Sequence, residues 1–240
     1  IGQTIEQAEK TLKVALGKIF SGINSEEPTT FFRISLGQIR SFAINVVGDV
    51  VNPGTYTLPS LSTISSALYL AGGPTKIGSV RNIKVYRDNK LVNTFDLYKF
   101  MLDGDFASNV RLEDNDLIKV NPYSSLVKIA GQVKRPMTYE MKDGETVQDL
   151  IDYAGGFSGN AYRDNLSVVR QNGKEYQVYT VDAPEYASFV LEDGDRLNVG
   201  QMLDRFANRL EIKGAVYRPG IYQLGNGVNT VSQLIAKADG

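Results

Sequence analysis

The chain repeats itself every 83 residues, and this limits its fold more than any other feature. The segment V-G-D-V-V-N-P-G-T-Y beginning at Val47 returns as A-G-Q-V-K-R-P-M-T-Y at Ala130 and as K-G-A-V-Y-R-P-G-I-Y at Lys213. The offsets 131 − 48 and 214 − 131 are both 83, and Pro53, Pro136 and Pro219 keep that spacing, as do Tyr56, Tyr139 and Tyr222. A second block follows each time: Ala71-Gly72-Gly73, Ala154-Gly155-Gly156 and Ala238-Asp239-Gly240. A third, Leu112-Glu113-Asp114-Asn115-Asp116, matches Leu191-Glu192-Asp193-Gly194-Asp195 at 191 − 112 = 79, so the second copy is shorter by 83 − 79 = 4 residues before that block. A unit of this length is a small domain in itself. We therefore expect separate modules over 41–123 and 124–206, a partial third over 207–240, and an independent leading segment over 1–40. The length difference between the two whole copies is expected in the loop around 182–188.

Within each copy the patterning changes in a fixed order. Residues 42–50 alternate and are rich in Ile and Val, Pro53-Gly54 suits the centre of a type II turn, and 55–58 returns as a second strand. Met137 replaces Gly54 in the second copy, and a different turn is expected there because a methionine is strained at positive φ; Gly220 restores the glycine in the third. Gly48, Gly131 and Gly214 lie inside the first strand of each copy, where a glycine marks a bulge or a close backbone approach. A short helix comes next. Its apolar stripe falls at 64, 67, 68 and 71, at 147, 150, 151 and 154, and at 231, 234, 235 and 238. Thr146 with Asp149, and Thr230 with Gln233, have capping-box spacing. Gly72 and Gly155 stand where a left-handed residue ends a helix, with Asp239 a tolerable substitute. Strands are then expected over 82–86, 91–95 and 117–120, with an irregular or helical stretch around 96–102. Their counterparts are 166–169, 175–180 and 197–199. The outcome is an α+β fold, tandem β-grasp-like modules, each one helix on a small mixed sheet.

The order G-x-V-x-x-P-G-x-Y, then T-[VI]-x-x-[LA]-[IL]-x-x-A-G-G, then L-x-D-x-D-x-[IL]-x-V resembles the soluble-ligand-binding β-grasp (SLBB) domain. Tandem copies are similar to the periplasmic part of outer-membrane polysaccharide export proteins. The leading segment is similar to the C-terminal end of the export domain that precedes such repeats. Thr4 and Gln7 have capping-box spacing ahead of a helical stripe from Ile5 to Ile19, and a polar stretch over 25–30 leads to a strand expected over 31–36. The resemblance implies a periplasmic location, outer-membrane association in the full-length protein, a homo-oligomer forming part of a translocation conduit, a polysaccharide as cargo and an inner-membrane copolymerase as partner. The other reading is a soluble module that binds a small ligand such as a sugar or corrinoid.

Composition excludes a great deal else. With no Cys and no His, disulfides, thiolate or imidazole metal sites, Cys nucleophiles and Ser-His-Asp triads are impossible. Lysine and arginine number 26 against 27 acidic residues, so no net field favours nucleic acid or an anionic membrane. No apolar run reaches the roughly 18–20 residues needed to cross a bilayer, and the first residues lack the shape of a signal peptide. The chain is expected to be a piece of a longer protein, with any membrane contact made by segments outside it. No cofactor, no catalytic residue and no metal ligand are assigned, and the protein is expected not to be an enzyme.

Three features invite sharper chemistry, and each has a plainer explanation. The pairs Asp114/Asp116 and Asp193/Asp195 resemble calcium ligands, but neither continues into the further ligands and downstream Glu that a calcium loop needs, so a tight turn is favoured. Among 27 acidic residues no pair has the opposed environments of a glycosidase acid and base. Tyr56, Tyr139 and Tyr222 could stack sugars, but their fixed place in the hairpin favours packing. Arg87 and Arg170, also 83 apart, either bind a ligand or partner carboxylate or snorkel over the sheet edge; the sequence leaves both open.

Overall fold

The computed structural model describes residues 4–23, 30–34 and 40–240. Two five-stranded sheets are built on one plan. The first comprises β1 (Ser41–Gly48), β2 (Gly54–Pro59), β3 (Gly78–Arg87), β4 (Lys90–Phe95) and β5 (Leu117–Pro122), with helices α2 (Ile64–Leu70) and α3 (Leu97–Leu102) in its connections. Its order is β2-β1-β5-β3-β4. The two hairpins are antiparallel, β5 lies parallel to β1 and antiparallel to β3, and the sheet is therefore mixed. The second sheet repeats this as β7-β6-β10-β8-β9, from β6 (Ser125–Gly131), β7 (Thr138–Met141), β8 (Asn165–Gln171), β9 (Tyr176–Asp182) and β10 (Arg196–Val199), with helix α4 (Val147–Tyr153).

The cores follow from the patterning. Ile44 and Val46 on β1, Ile83 and Val85 on β3, and Ile118 and Val120 on β5 alternate inward against Ile64, Ala67 and Leu68 of α2. Val127, Ile129, Val168, Leu197 and Val199 do the same against Val147, Leu150 and Ile151 of α4. Each such valine, leucine or isoleucine side chain, removed from water, contributes about 1.5–3 kcal/mol. Both helices end in the same Schellman geometry. Gly72 and Gly155 are left-handed at φ 79°, and the N–H groups of Gly73 and Gly156 donate to the carbonyls of Leu68 and Ile151 at 2.8 and 2.9 Å.

Four expectations are corrected. Gly54 is not left-handed; it is the first residue of β2, so no type II turn closes the hairpin. The loop 49–53 docks on the helix terminus instead: Val51 and Asn52 N–H groups donate to Gly73 and Ala71 carbonyls at 3.0 and 2.9 Å. Lys134 and Arg135 donate to Gly156 and Ala154 in the same way at 3.1 and 3.0 Å, so Met137 needs no different turn. The four-residue deficit is a net figure. Ile83 pairs with Phe95 across 12 positions while Leu166 pairs with Val181 across 15, so the second hairpin is 15 − 12 = 3 residues longer. From those strands to the L-E-D block the chain takes 112 − 95 = 17 residues in the first copy and 191 − 181 = 10 in the second, which is seven fewer. Finally, residues 31–34 form no strand; the remainder of the stretch expected over 31–36, like residues 25–29 of the polar stretch over 25–30, falls outside the described residues.

Helix α1 (Ile5–Leu16) carries the expected Thr4–Gln7 capping box and buries no residue. The third repeat is a hairpin of β11 (Arg209–Ile212) and β12 (Gly220–Gln223) followed by α5 (Val231–Lys237), capped by Thr230 and Gln233. Among the described residues these two strands pair only with each other. On α5 only Ala238, at its C-cap, is fully buried, while Val231 is 74% exposed.

Candidate functional site

The recurring residues hold the modules together. A Cβ on Gly48 would lie 2.1 Å from the Val120 carbonyl oxygen, and one on Gly131 the same distance from that of Val199. These glycines, at φ 87° and 84°, are where the first strand comes closest to its parallel neighbour. Gly214 has φ 110° and meets nothing within 4 Å. The three tyrosines share one hydrogen bond: Oη of Tyr56, Tyr139 and Tyr222 donates to the carbonyl four residues back, on Asn52, Arg135 and Arg218, at 2.6, 2.9 and 2.6 Å. Pro53, Pro136 and Pro219 lie inside the loops these bonds close. The hydroxyl thus has an internal partner in every copy. Burial of Tyr139 pushes its phenol above the usual value.

The aspartate pairs are structural in the same sense. Asp114 Oδ1 accepts from the Ala43 N–H at 3.0 Å and Asp193 Oδ1 from the Leu126 N–H at 2.7 Å, each tying the turn to the start of its first strand. Asp116 is fully buried and takes Arg87 in a fork, Nε to Oδ1 and Nη2 to Oδ2 at 2.8 Å each. Asp195 takes Arg170 identically at 2.9 and 2.7 Å. Hydrogen bonding to these carboxylates raises both guanidinium pKa values against the opposing effect of burial. Glu113 and Glu192 complete each cluster. The two readings left open for Arg87 and Arg170 therefore give way to a third: each is an internal clamp between its strand and the L-E-D turn, with the planar fork that bidentate carboxylate binding requires. The D-x-D carboxylates are engaged by backbone N–H groups and arginine, so the tight-turn reading accounts for them.

What remains open differs between copies. In the second, a cleft of about 500 Å³ lies between the segment 159–164 and the segment 202–207. Tyr162, Arg163, Asp164, Met202, Leu203 and Arg205 line it. Its walls are joined by backbone bonds, Tyr162 N–H to Gly200 O and Met202 N–H to Asn160 O, both 2.9 Å. Tyr186 Oη donates to the Arg163 carbonyl at 3.2 Å from beneath. In the first copy Ser79 and Arg81 occupy the places of Tyr162 and Asp164, both buried, with Arg81 Nε and Nη2 each 3.3 Å from Asp96 Oδ2. The first copy instead has an apolar groove of about 390 Å³ beside α2, lined by Leu68, Tyr69 and Leu97. In the second copy the rings of Phe157 and Tyr186 pack on each other, 6.3 Å apart. None of the cleft residues stood out in sequence, because the repeat search weighs what recurs and the cleft is built from what does not.

Among the described residues no helix is long and apolar enough to cross a membrane, and no cluster of three or more acidic side chains could hold a metal. The SLBB domain family matches twice, over residues 44–95 and 126–179, once on each sheet. Two curated relatives, both described as the polysialic acid transport protein KpsD of Escherichia coli, are each 26% identical over 183 residues. That alignment covers 75% of this chain and 31% of either relative, so the chain spans about a third of their length. With an SLBB match on each of two identically ordered sheets, the chain carries two SLBB domains in tandem.

Proposed function

We propose that this chain is the periplasmic part of an outer-membrane exporter of capsular polysaccharide or exopolysaccharide, acting without catalysis as one subunit's share of a homo-oligomeric conduit. In this reading 41–123 and 124–206 are tandem modules, 207–240 opens a third, and 1–40 ends the preceding export domain. The polysaccharide is the cargo and an inner-membrane copolymerase the partner. The observation that carries the reading is the use of the repeated polar residues. The fork of Arg87 on Asp116, its copy in Arg170 on Asp195 and the three tyrosine hydroxyls are all engaged inside their own repeats. They serve the construction of rigid, repeated units, which suits a wall more than a reaction. The relatives' description as transport proteins supports the same conclusion.

The deciding experiment removes the full-length protein from a host that carries it and follows the polymer. Loss of surface polysaccharide, its accumulation inside the cell, and rescue by the intact gene are expected; unchanged surface polymer would overturn the reading. A second reading, a module that binds a small ligand, is favoured by the cleft of the second repeat.

A further inference from the structure

We infer that the cleft of the second repeat is a glycan-binding site selective for a sugar ring bearing a carboxylate. The inference rests on the export reading and names the chemistry that one module would recognise. A pyranose has an apolar C–H face, a rim of hydroxyls and, in an acidic sugar, one carboxylate, and the cleft offers a partner for each. Tyr162 is 40% exposed in the wall and supplies an aromatic face, while Met202 and Leu203 continue the apolar surface. Asp164 accepts hydrogen bonds from hydroxyls. Arg163 and Arg205 present guanidiniums that form no ion pair among the described residues, so the lining holds two cations against one carboxylate. Arg163 also lies 5.8 Å from the centre of the Phe157 ring, which restricts where it can swing.

Shape agrees with chemistry. A volume of about 500 Å³ falls within the range of about 300–1,000 Å³ typical of small-molecule sites. The Ala161–Gln201 bridge and its flanking backbone bonds fix the two walls before any ligand arrives, which lowers the entropy cost of binding. The first repeat serves as an internal control. There Ser79 takes the place of Tyr162, and the residue facing the core is a buried arginine already paired with Asp96. A site assigned to the second repeat alone is therefore a sharper claim than one assigned to the fold.

The test titrates the whole chain, followed by amide chemical shifts, with a tetramer of galacturonic acid and, in parallel, with the neutral tetramer maltotetraose. Saturable shifts confined to 159–164 and 202–207 are expected with the acidic tetramer, and affinity for the neutral one should be weaker by at least about tenfold. The double variant R163A/R205A should lose at least about tenfold in affinity for the acidic tetramer at unchanged melting temperature, and R163K/R205K should recover part of it, since lysine keeps charge but not the fork. Equal binding of both tetramers, shifts centred on the first repeat, indifference to the double variant, or no saturation by the acidic tetramer would each overturn the inference. None of these results bears on export, whose own test reads surface polymer and no affinity.

Discussion

The first and second repeats share a sheet order and a set of clamps, yet they differ wherever the fold leaves a choice. The first seals an arginine into its core, 2% exposed, against Asp96; the second replaces that arginine with the exposed Asp164 and opens a cleft there. The helix N-termini tell the same story. Thr63 makes no capping bond from its side chain, and the Ser65 N–H donates instead to Asn109 Oδ1 at 3.0 Å, from the long connection after α3. In the second repeat Thr146 caps its own helix, while the Val147 and Gln148 N–H groups donate to the carbonyls of Phe189 and Tyr186 at 3.1 and 2.9 Å. Each first turn needs its N–H groups satisfied. The need is fixed by the fold, and the residue that meets it is not.

The largest expected effect separates the whole repeats from the partial one. Gly48→Ala or Gly131→Ala places a methyl 2.1 Å from a backbone carbonyl oxygen in a left-handed residue. Strain at positive φ and forced displacement of the parallel strand should together cost about 2–5 kcal/mol. Gly214→Ala meets only the backbone strain, about 1–2 kcal/mol. Urea denaturation of the three variants measures the contrast. An equal loss in all three would mean that in solution a strand lies against Gly214 as well.

That contrast also marks how much could be read beforehand. The 83-residue offset carried the division into modules, the helix stripes, the capping boxes and the left-handed ends, because each depends on a few residues close in sequence. The expected type II turn failed for the opposite reason. Pro53-Gly54 is a good local turn signal, but Val51 and Asn52 are bound to the carbonyls of Gly73 and Ala71 at the end of the following helix, and that docking sets the loop. Arg87 and Arg170 were visible as a pair without a role, since Asp116 and Asp195 reach them only when the last strand folds between the hairpins. The cleft was illegible because Tyr162, Arg163 and Arg205 have no counterparts in the first repeat to draw attention to them.

An effect of similar size tests the sealed position itself. Arg81→Met leaves Asp96 buried without its principal cation and should cost about 3–5 kcal/mol. Adding Asp96→Asn removes the stranded charge while keeping an N-cap for α3, where Asp96 Oδ1 accepts from the Tyr98 N–H at 2.9 Å. The double variant should recover most of that loss. In the second repeat Asp164→Ala, at the place of Arg81, should change stability by no more than about 0.5 kcal/mol, as an exposed substitution does. If the double variant were as unstable as R81M, the arginine would be holding the core by packing rather than by charge.

The smallest effect is one of pH and belongs to the second repeat. Burial pushes the phenols of Tyr139 and Tyr186 above their usual value, and Asp164 and Asp182 push Tyr186 further in the same direction. A raised pKa means that folding favours the neutral phenol. The unfolded chain releases these protons near pH 10. The stabilisation is therefore complete below about pH 10 and is lost as pH rises through the folded-state values. Each neutral phenol donates to a carbonyl, that of Arg135 or Arg163, and ionisation would remove the donor and set a negative oxygen against a carbonyl. Urea midpoints taken from about pH 8 to about pH 11 should fall at the alkaline end, with the second repeat melting first. The variant Y139F/Y186F should start lower, by about 1 kcal/mol for each lost hydrogen bond, and fall less steeply. An undiminished alkaline slope in that variant would assign the loss to other groups. Because the Tyr186 hydroxyl supports the backbone of Arg163, the same titration should shift the amide signals of the cleft before the repeat unfolds, which ties the stability of the second repeat to the surface that distinguishes it from the first.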